Sequence, residues 1–137
     1  MYRSCVSTAL RKTERLVTRH YDSYLERAGV TAVQLPILAF ISGAEQPTLR
    51  GLTEQFELDR STLSRNLALL ERDGFLVLGP SSGPKPGRLT LTRKGRAALR
   101  RGAVKWREAH NALLAASGAS SVDAGMDFLK RLRRSVR

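Results

Sequence analysis

Leu52 to Leu76 reads LTEQFELDRSTLSRNLALLERDGFL. The stretch has the pattern of two helices joined by a tight turn. The first helix runs from about Thr48 to Phe56 and the second from Arg60 to Arg72, with Leu58 in the turn. Asp59 stands at the N-cap, where a carboxylate accepts from the free N–H groups of the next turn. Gly74 stands where a left-handed residue ends a helix. Leu63, Leu67 and Leu70 recur at helical spacing and define a buried face. Successive helix residues turn by about 100°, so with Leu63 inward, Ser61, Arg65, Ala68 and Arg72 point the opposite way. Thr62 and Ser64 flank them. A helix that is apolar behind and slim, basic and hydroxyl-bearing in front fits a DNA major groove. An ordinary amphipathic surface helix also has a polar face, so the neighbouring segments decide.

Downstream, Phe75 to Leu78 has the pattern of a short strand. GPSSGPKPG at 79–87 holds three glycines and three prolines, which exclude helix and require a loop. Arg88 to Leu91 alternates polar and apolar residues as a returning strand does. Lys85 lies at the loop tip, and Arg88 begins the strand. Thr92 caps a long helix reaching about Ala116, with Leu99, Ala103, Trp106, His110 and Leu113 on one stripe. Gly118 breaks it. Ser120 or Ser121 caps a last helix, on which Val122, Met126, Leu129, Leu132 and Val136 form a stripe at near-heptad spacing.

Upstream, Ser4 to Ala28 reads as a helix ended by Gly29, with Val6, Leu10, Leu16, Val17, Tyr21, Tyr24, Leu25 and Ala28 at spacings of three and four. Thr31 caps a second helix through Ile41, TAVQLPILAFI, apolar almost all round as a buried helix is. Pro36 inside it predicts a kink or a break. Residues 42–47 form a loop before Thr48. Neither repeats nor a separate linker interrupt the chain, so residues 1–137 read as a single domain.

A chain of 137 residues, 42% hydrophobic and 26% charged, is of a size and composition to fold around a core. Lys and Arg number 24 against 12 Asp and Glu, a formal net charge of +12. A protein so basic repels itself and suits a polyanionic partner, nucleic acid before a membrane surface, because the basic residues are not gathered beside one apolar face. One cysteine allows no intrachain disulfide and fits a reducing compartment. MYRSCVSTAL lacks the apolar core of a signal peptide, and no run approaches a membrane span. These features predict a cytoplasmic protein with no membrane association.

A helix-turn-helix followed directly by a hairpin is a winged helix. LDRSTLSRNLALLERDGFL, the hairpin, RLTLTRKGRAAL and the long first helix ending in AGVTAVQLPIL together resemble the MarR family of bacterial transcription regulators over nearly the whole chain. The resemblance implies a mainly α fold with a small β-hairpin wing (α+β). It assigns 31–91 to a winged helix-turn-helix lobe, and 1–30 with 92–137 to helices that interlock two copies around a two-fold axis. It implies a homodimer whose recognition helices enter successive major grooves of a pseudo-palindromic operator while the wings reach flanking minor grooves. The expected DNA contacts are Thr48, Arg60, Ser61, Thr62, Ser64, Arg65, Arg72, Lys85 and Arg88. The family's wing usually carries Asp-x-Arg. Here Gly83 and Lys85 occupy those places, so the wing lacks both the guanidinium fork and the carboxylate that orients it.

The family often binds aromatic acids between the dimer helices and the DNA-binding lobe. Arg19, His20, Tyr24 and Trp106 are the expected pocket residues for a small aromatic or anionic ligand, although Tyr21, Tyr24 and Trp106 serve equally as dimer core. Some members sense oxidants through a cysteine in the first helix. Cys5 near a helix N-terminus with Arg3 nearby suits a lowered pKa, yet a small thiol without a role is the plainer alternative. The basic tail of Lys130, Arg131, Arg133, Arg134 and Arg137 complements a helix dipole. His20 and His110 lie far apart in sequence without a Cys/His cluster, so no metal and no cofactor are expected. Neither a phosphate-cradling glycine loop, nor paired carboxylates, nor a Ser/His/Asp grouping points to an enzyme. The expected function is a sequence-specific repressor released by a small ligand or by oxidation. Redox sensing through Cys5 and non-specific DNA or RNA binding are the alternatives.

Overall fold

The computed structural model describes residues 5–80, 82 and 87–136. Lys85, Gly83, Arg3 and Arg137 lie outside the described residues, and with them the expected wing-tip contact.

The first helix, α1, spans Val6–Leu25, and the expected continuation to Ala28 is a tighter 3-10 turn, Glu26–Ala28. Gly29 closes that turn at φ 77°, a conformation that costs glycine nothing. Thr31 and Gln34 then bond reciprocally. The Thr31 N–H donates to Gln34 Oε1 at 3.2 Å, and the Gln34 N–H donates to Thr31 Oγ1 at 3.2 Å. This is a capping box, but the helix it opens, α2, spans Gln34–Gly43, starting two residues later than a Thr31 cap implies. Pro36 therefore falls in the first turn, where a missing N–H removes little, and α2 continues without the expected break.

Helix α3 (Leu49–Phe56) is capped by Thr48, whose side chain accepts from the Gly51 N–H. Glu57 turns the chain at φ 49°. Helix α4 spans Arg60–Arg72 under the Asp59 cap, as its sequence predicts. Its end is stapled twice: Gly74 N–H donates to Glu71 O at 3.0 Å and Phe75 N–H to Leu70 O at 2.8 Å, a Schellman pair. Phe75 is committed to that staple, so strand β1 is Leu76–Leu78. It pairs antiparallel with β2 (Leu89–Leu91) in the register Leu76↔Leu91, Val77↔Thr90 and Leu78↔Leu89. Arg88, the expected first strand residue, instead bridges to Thr48. The Leu89 N–H donates to Pro47 O, which ties the wing to the start of α3.

Helix α5 (Arg93–Ser117) starts at Thr92, which accepts from the Gly95 N–H and donates its hydroxyl to Gly74 O at 2.6 Å. Its buried positions are Gly95, Ala98, Gly102 and Ala109. The expected stripe is displaced: Leu99, His110 and Leu113 are half-buried, Ala103 is exposed, and Trp106 is 43% exposed. Small residues won this face because the neighbours come too close for larger ones. A Cβ on Gly95 would fall 1.8 Å from the Phe75 carbonyl oxygen, and one on Gly102 would fall 2.5 Å from a Leu35 methyl. Helix α6 (Ala119–Ser135) begins directly after Gly118 with no side-chain cap, so neither Ser120 nor Ser121 plays that part.

One apolar cluster joins Leu25 and Ala28, the α2 residues Leu35, Ile37, Leu38 and Ile41, Leu52, the three α4 leucines, the wing residues Phe75, Leu76, Leu89 and Leu91, and Ala98. Burying each large side chain fully is worth about 1.5–3 kcal/mol. Helix α4 is thereby fixed from behind by Leu63 and Leu70, neither of them exposed at all, and its opposite face is left to solvent.

Candidate nucleic-acid interface

With Leu63, Leu67 and Leu70 buried, Ser61, Ser64, Arg65, Ala68 and Arg72 are all exposed and Thr62 is half-buried. The front face of α4 is the one expected from the spacing. Its first turn is more constrained than the sequence reading anticipated. Asp59 accepts from the Thr62 N–H at 2.8 Å, the Ser61 hydroxyl at 2.6 Å and the Thr62 hydroxyl at 2.5 Å. These bonds, the Ser61 and Thr62 hydroxyls first and then the Thr62 amide, hold the Asp59 carboxyl well below the usual carboxylate range. In the free protein both hydroxyl protons are therefore turned toward Asp59.

The basic residues divide. Arg60 and Arg65 make no ion pair or hydrogen bond among the described residues, so both guanidiniums are available to DNA. Arg72 pairs with Asp73 at 2.9 Å, an exposed bridge that phosphate or base edges can replace cheaply. Arg88 donates to the Glu45 carbonyl oxygen at 2.9 Å, bracing the wing against the loop before α3. Thr48 uses its oxygen as the α3 cap. Glu71 fixes the wing from the other side by accepting from the Leu78 N–H at 3.2 Å. Asp59 and Glu71 are the residues that sequence reasoning left out of the site. The cap position already announced Asp59, whereas nothing local announced Glu71.

The expected ligand residues fall into two places. Arg19 lines a cleft of about 670 Å³ between α1, the turn at 29–31 and the end of α4, together with Asp22, Glu26, Gln34 and Arg72. His20, Tyr24 and Trp106 do not line it. They belong to an aromatic seam where α1 meets α5. His20 Nε2 lies 2.7 Å from Ala109 O, the Tyr21 hydroxyl 2.9 Å from His110 Nδ1, and Trp106 stacks on His110 at 4.8 Å. Cys5 is exposed at the head of α1. No cap hydrogen bond closes on its sulfur, but the Thr8 amide, the Thr8 hydroxyl and the Ser7 amide favour the thiolate and lower its pKa from the ordinary thiol value. Arg11 adds a smaller electrostatic contribution in the same direction. Among the described residues no group of three His, Cys, Asp or Glu side chains is placed to hold a metal ion, and no helix is long and apolar enough to cross a membrane.

Residues 28–85 match the sequence profile of the MarR family. The transcriptional regulator MosR of M. tuberculosis superposes with a TM-score of 0.81 at 30% identity, covering 98% of this chain and 99% of that one. The same regulator in complex with DNA gives 0.82 at the same identity and coverage. The chain belongs to the MarR family. It is thus one of the winged-helix, DNA-binding transcriptional regulators and not an enzyme. Two more distant MarR-type structures share the fold. The repressor CouR bound to p-coumaroyl-CoA has a TM-score of 0.85 at 22% identity, covering 97% of this chain and 94% of that one. A MarR variant from E. coli complexed with operator DNA has 0.79 at 23%, covering 93% and 92%. No curated protein gave a match. In this MarR-family chain the helix-turn-helix is α3–α4 and the wing is β1–β2, the elements whose outer faces are described above.

Proposed function

We propose that this MarR-family regulator is a repressor that binds a pseudo-palindromic operator as a homodimer and is released by a small ligand. The observation that carries this reading is the front of α4: Ser61, Ser64, Arg65 and Ala68 exposed on a helix held rigidly from behind. Small residues let the helix approach base edges, and Arg65, unpaired at mid-helix, can fork onto guanine. The solved MosR complex with DNA supports the same docking for this chain. In this reading 31–91 form the reading lobe, and 1–30 with 92–137 form the dimer helices. The exposed Met126 and Phe128 of α6 are consistent with a second copy covering them. Recognition helices of a dimer must sit about 34 Å apart to reach successive grooves.

The cleft beside Arg19 and Arg72 lies between α1 and the end of α4, so a ligand there bears on that spacing. A ligand shifts the equilibrium only as far as it prefers the mis-spaced state, about 1.4 kcal/mol for a tenfold preference. CouR, which shares the fold over nearly the whole chain, was solved with p-coumaroyl-CoA, which supports release by a small ligand. An anionic one would meet Arg19 in a cleft that also holds Asp22, Glu26 and the Arg72–Asp73 pair. A second reading makes Cys5 the trigger, on the strength of its exposure and lowered pKa.

Selection from random duplexes tests the first half of the proposal and should return an inverted repeat. Arg65→Ala should cost roughly 1–3 kcal/mol per half-site and relax one base position. Equal losses on operator and random DNA would remove the base-reading role. Cys5→Ser separates the triggers: a mutant still released by ligand supports the first, and a wild type released by low peroxide with a resistant mutant supports the second.

A further inference from the structure

The charge of this chain is distributed in a way the proposed docking does not use. Residues 31–91 hold six basic and six acidic side chains, so the reading lobe is formally neutral, and the entire excess of +12 lies in 1–30 and 92–137. Non-specific affinity for duplex DNA comes from cations set against phosphates, and a neutral lobe with Asp59 at its leading edge supplies little of it. The densest concentration is in α5. Between Arg93 and Arg107 there are seven basic residues and no acidic one.

Four of these share one face. At about 100° per residue, Arg93, Arg96, Arg100 and Arg107 fall within about 60° of one another, directly opposite the buried row of Gly95, Ala98, Gly102 and Ala109. All four are exposed on the single chain. Arg93, Arg100 and Arg107 have no ion pair or hydrogen bond among the described residues, and Arg96 makes only a hydrogen bond to the Leu91 carbonyl at 2.8 Å. The row starts at the base of the wing, where β2 passes through Thr92 into α5. It extends about 21 Å at 1.5 Å per residue, the axial span of about six phosphates of one strand at 3.4 Å each. All four are arginines, whose planar forks match phosphate oxygens in pairs.

We infer that the arginine face of α5 is a second DNA-contacting surface, which binds the phosphate backbone of duplex beyond the grooves taken by α4 and adds sequence-independent affinity to the little that the formally neutral reading lobe supplies. The inference rests on the reading of this chain as a duplex-DNA binder. It adds a contact surface outside the helix-turn-helix and wing.

The test compares the full-length wild type with two triple variants, Arg93→Gln/Arg100→Gln/Arg107→Gln in α5 and Arg131→Gln/Arg133→Gln/Arg134→Gln in α6. Each removes three charges, and the thermal midpoint of each is checked first. Binding to a random 40-base-pair duplex is measured by fluorescence anisotropy across salt concentrations. The α5 variant should lose roughly tenfold or more in affinity at low salt, and the slope of log K against log salt should fall by about 0.9 for each phosphate contact removed. The α6 variant should keep the wild-type slope. Equal reductions in both variants would mean that only net charge matters, and an unchanged slope in the α5 variant would mean that the face is idle. Either overturns the inference. Loss of binding to anionic phospholipid vesicles, with the DNA slope unchanged, would assign the face to a membrane and overturn it as well. Absence of duplex binding by the wild type would instead defeat the underlying reading of the protein.

Discussion

Helix α4 hides three leucines in 13 residues, and helix α6 hides no residue in 17. Both have amphipathic sequences, and in both the apolar stripe is legible from spacing alone. They differ in what lies behind the stripe. Leu63, Leu67 and Leu70 share one apolar cluster with residues of α2, α3 and the wing of the same chain. Val122, Leu129 and Leu132 are only half-buried, and Met126 and Phe128 are nearly half exposed. A periodic stripe therefore states that a helix needs cover without stating whose. In this protein α4 is covered by its own chain, whereas much of the α6 stripe is not.

The largest effect should come from breaking the completed side. Leu70→Ala removes a fully buried side chain and should cost about 2–5 kcal/mol, lowering the thermal midpoint by the same amount at every protein concentration. Leu129→Ala should behave differently. In a single chain it removes a half-exposed side chain at little cost, whereas in a dimer its cost grows as the protein is diluted. Concentration-independent losses of similar size in both variants would erase the contrast between the helices.

The next test uses one substitution at two sites. Gly95→Ala forces a Cβ onto the Phe75 carbonyl, a backbone atom that cannot swing aside. It should destabilise by about 1–3 kcal/mol and loosen the joint between α5 and the wing. Gly125→Ala in α6 meets nothing within 4 Å and should stabilise by about 0.4–1 kcal/mol through helix propensity. Opposite signs, read from urea unfolding, sharpen the comparison. A destabilising Gly125→Ala would show that a second chain packs closely there.

These glycines also mark where the sequence was hard to read. The bounds of α4 were legible because every signal was local: a capping carboxylate at Asp59, leucines at helical spacing, and a glycine at 74. The helix-turn-helix and hairpin followed from the same kind of evidence. The buried face of α5 was not legible. Apolar size pointed to Leu99, Ala103 and Trp106, while the packed face is Gly95, Ala98 and Gly102, because close approach to Phe75 and Leu35 selects for the absence of a side chain. A missing Cβ leaves no mark in a hydrophobicity pattern. The residues expected to line a ligand pocket were separated for a related reason. Arg19 and His20 are adjacent in sequence, but about 100° of helical turn sends one to the cleft and the other to the seam with α5. The bond from Glu71 to the wing backbone spans seven residues across a turn, and no spacing rule announces it.

The smallest expected effect concerns how the two helices begin. Helix α6 starts after Gly118 with no side-chain cap, while α4 starts under a carboxylate that accepts three hydrogen bonds. Those bonds lower the pKa of Asp59 in the folded state below that of an unfolded aspartate, near 3.9. Between the two values the unfolded chain binds the proton and the folded chain does not, so stability rises with pH there. The contribution of Asp59 is thus fully present above about pH 4 and is lost as the pH falls toward the folded value. Asp59→Asn retains a capping oxygen but has no charge to titrate. Its thermal midpoint should lie modestly below wild type at pH 7, and the gap should narrow as the pH is lowered from 4 toward 2. Ser61→Ala, which removes one of the two hydroxyls holding the carboxylate, should move the wild-type acid limb part of the way toward that of the Asn variant. If the curves for wild type and Asp59→Asn instead run parallel through this range, the bonds to Ser61 and Thr62 do not stabilise the ionised form. The start of α4 would then be no more firmly held by charge than the start of α6.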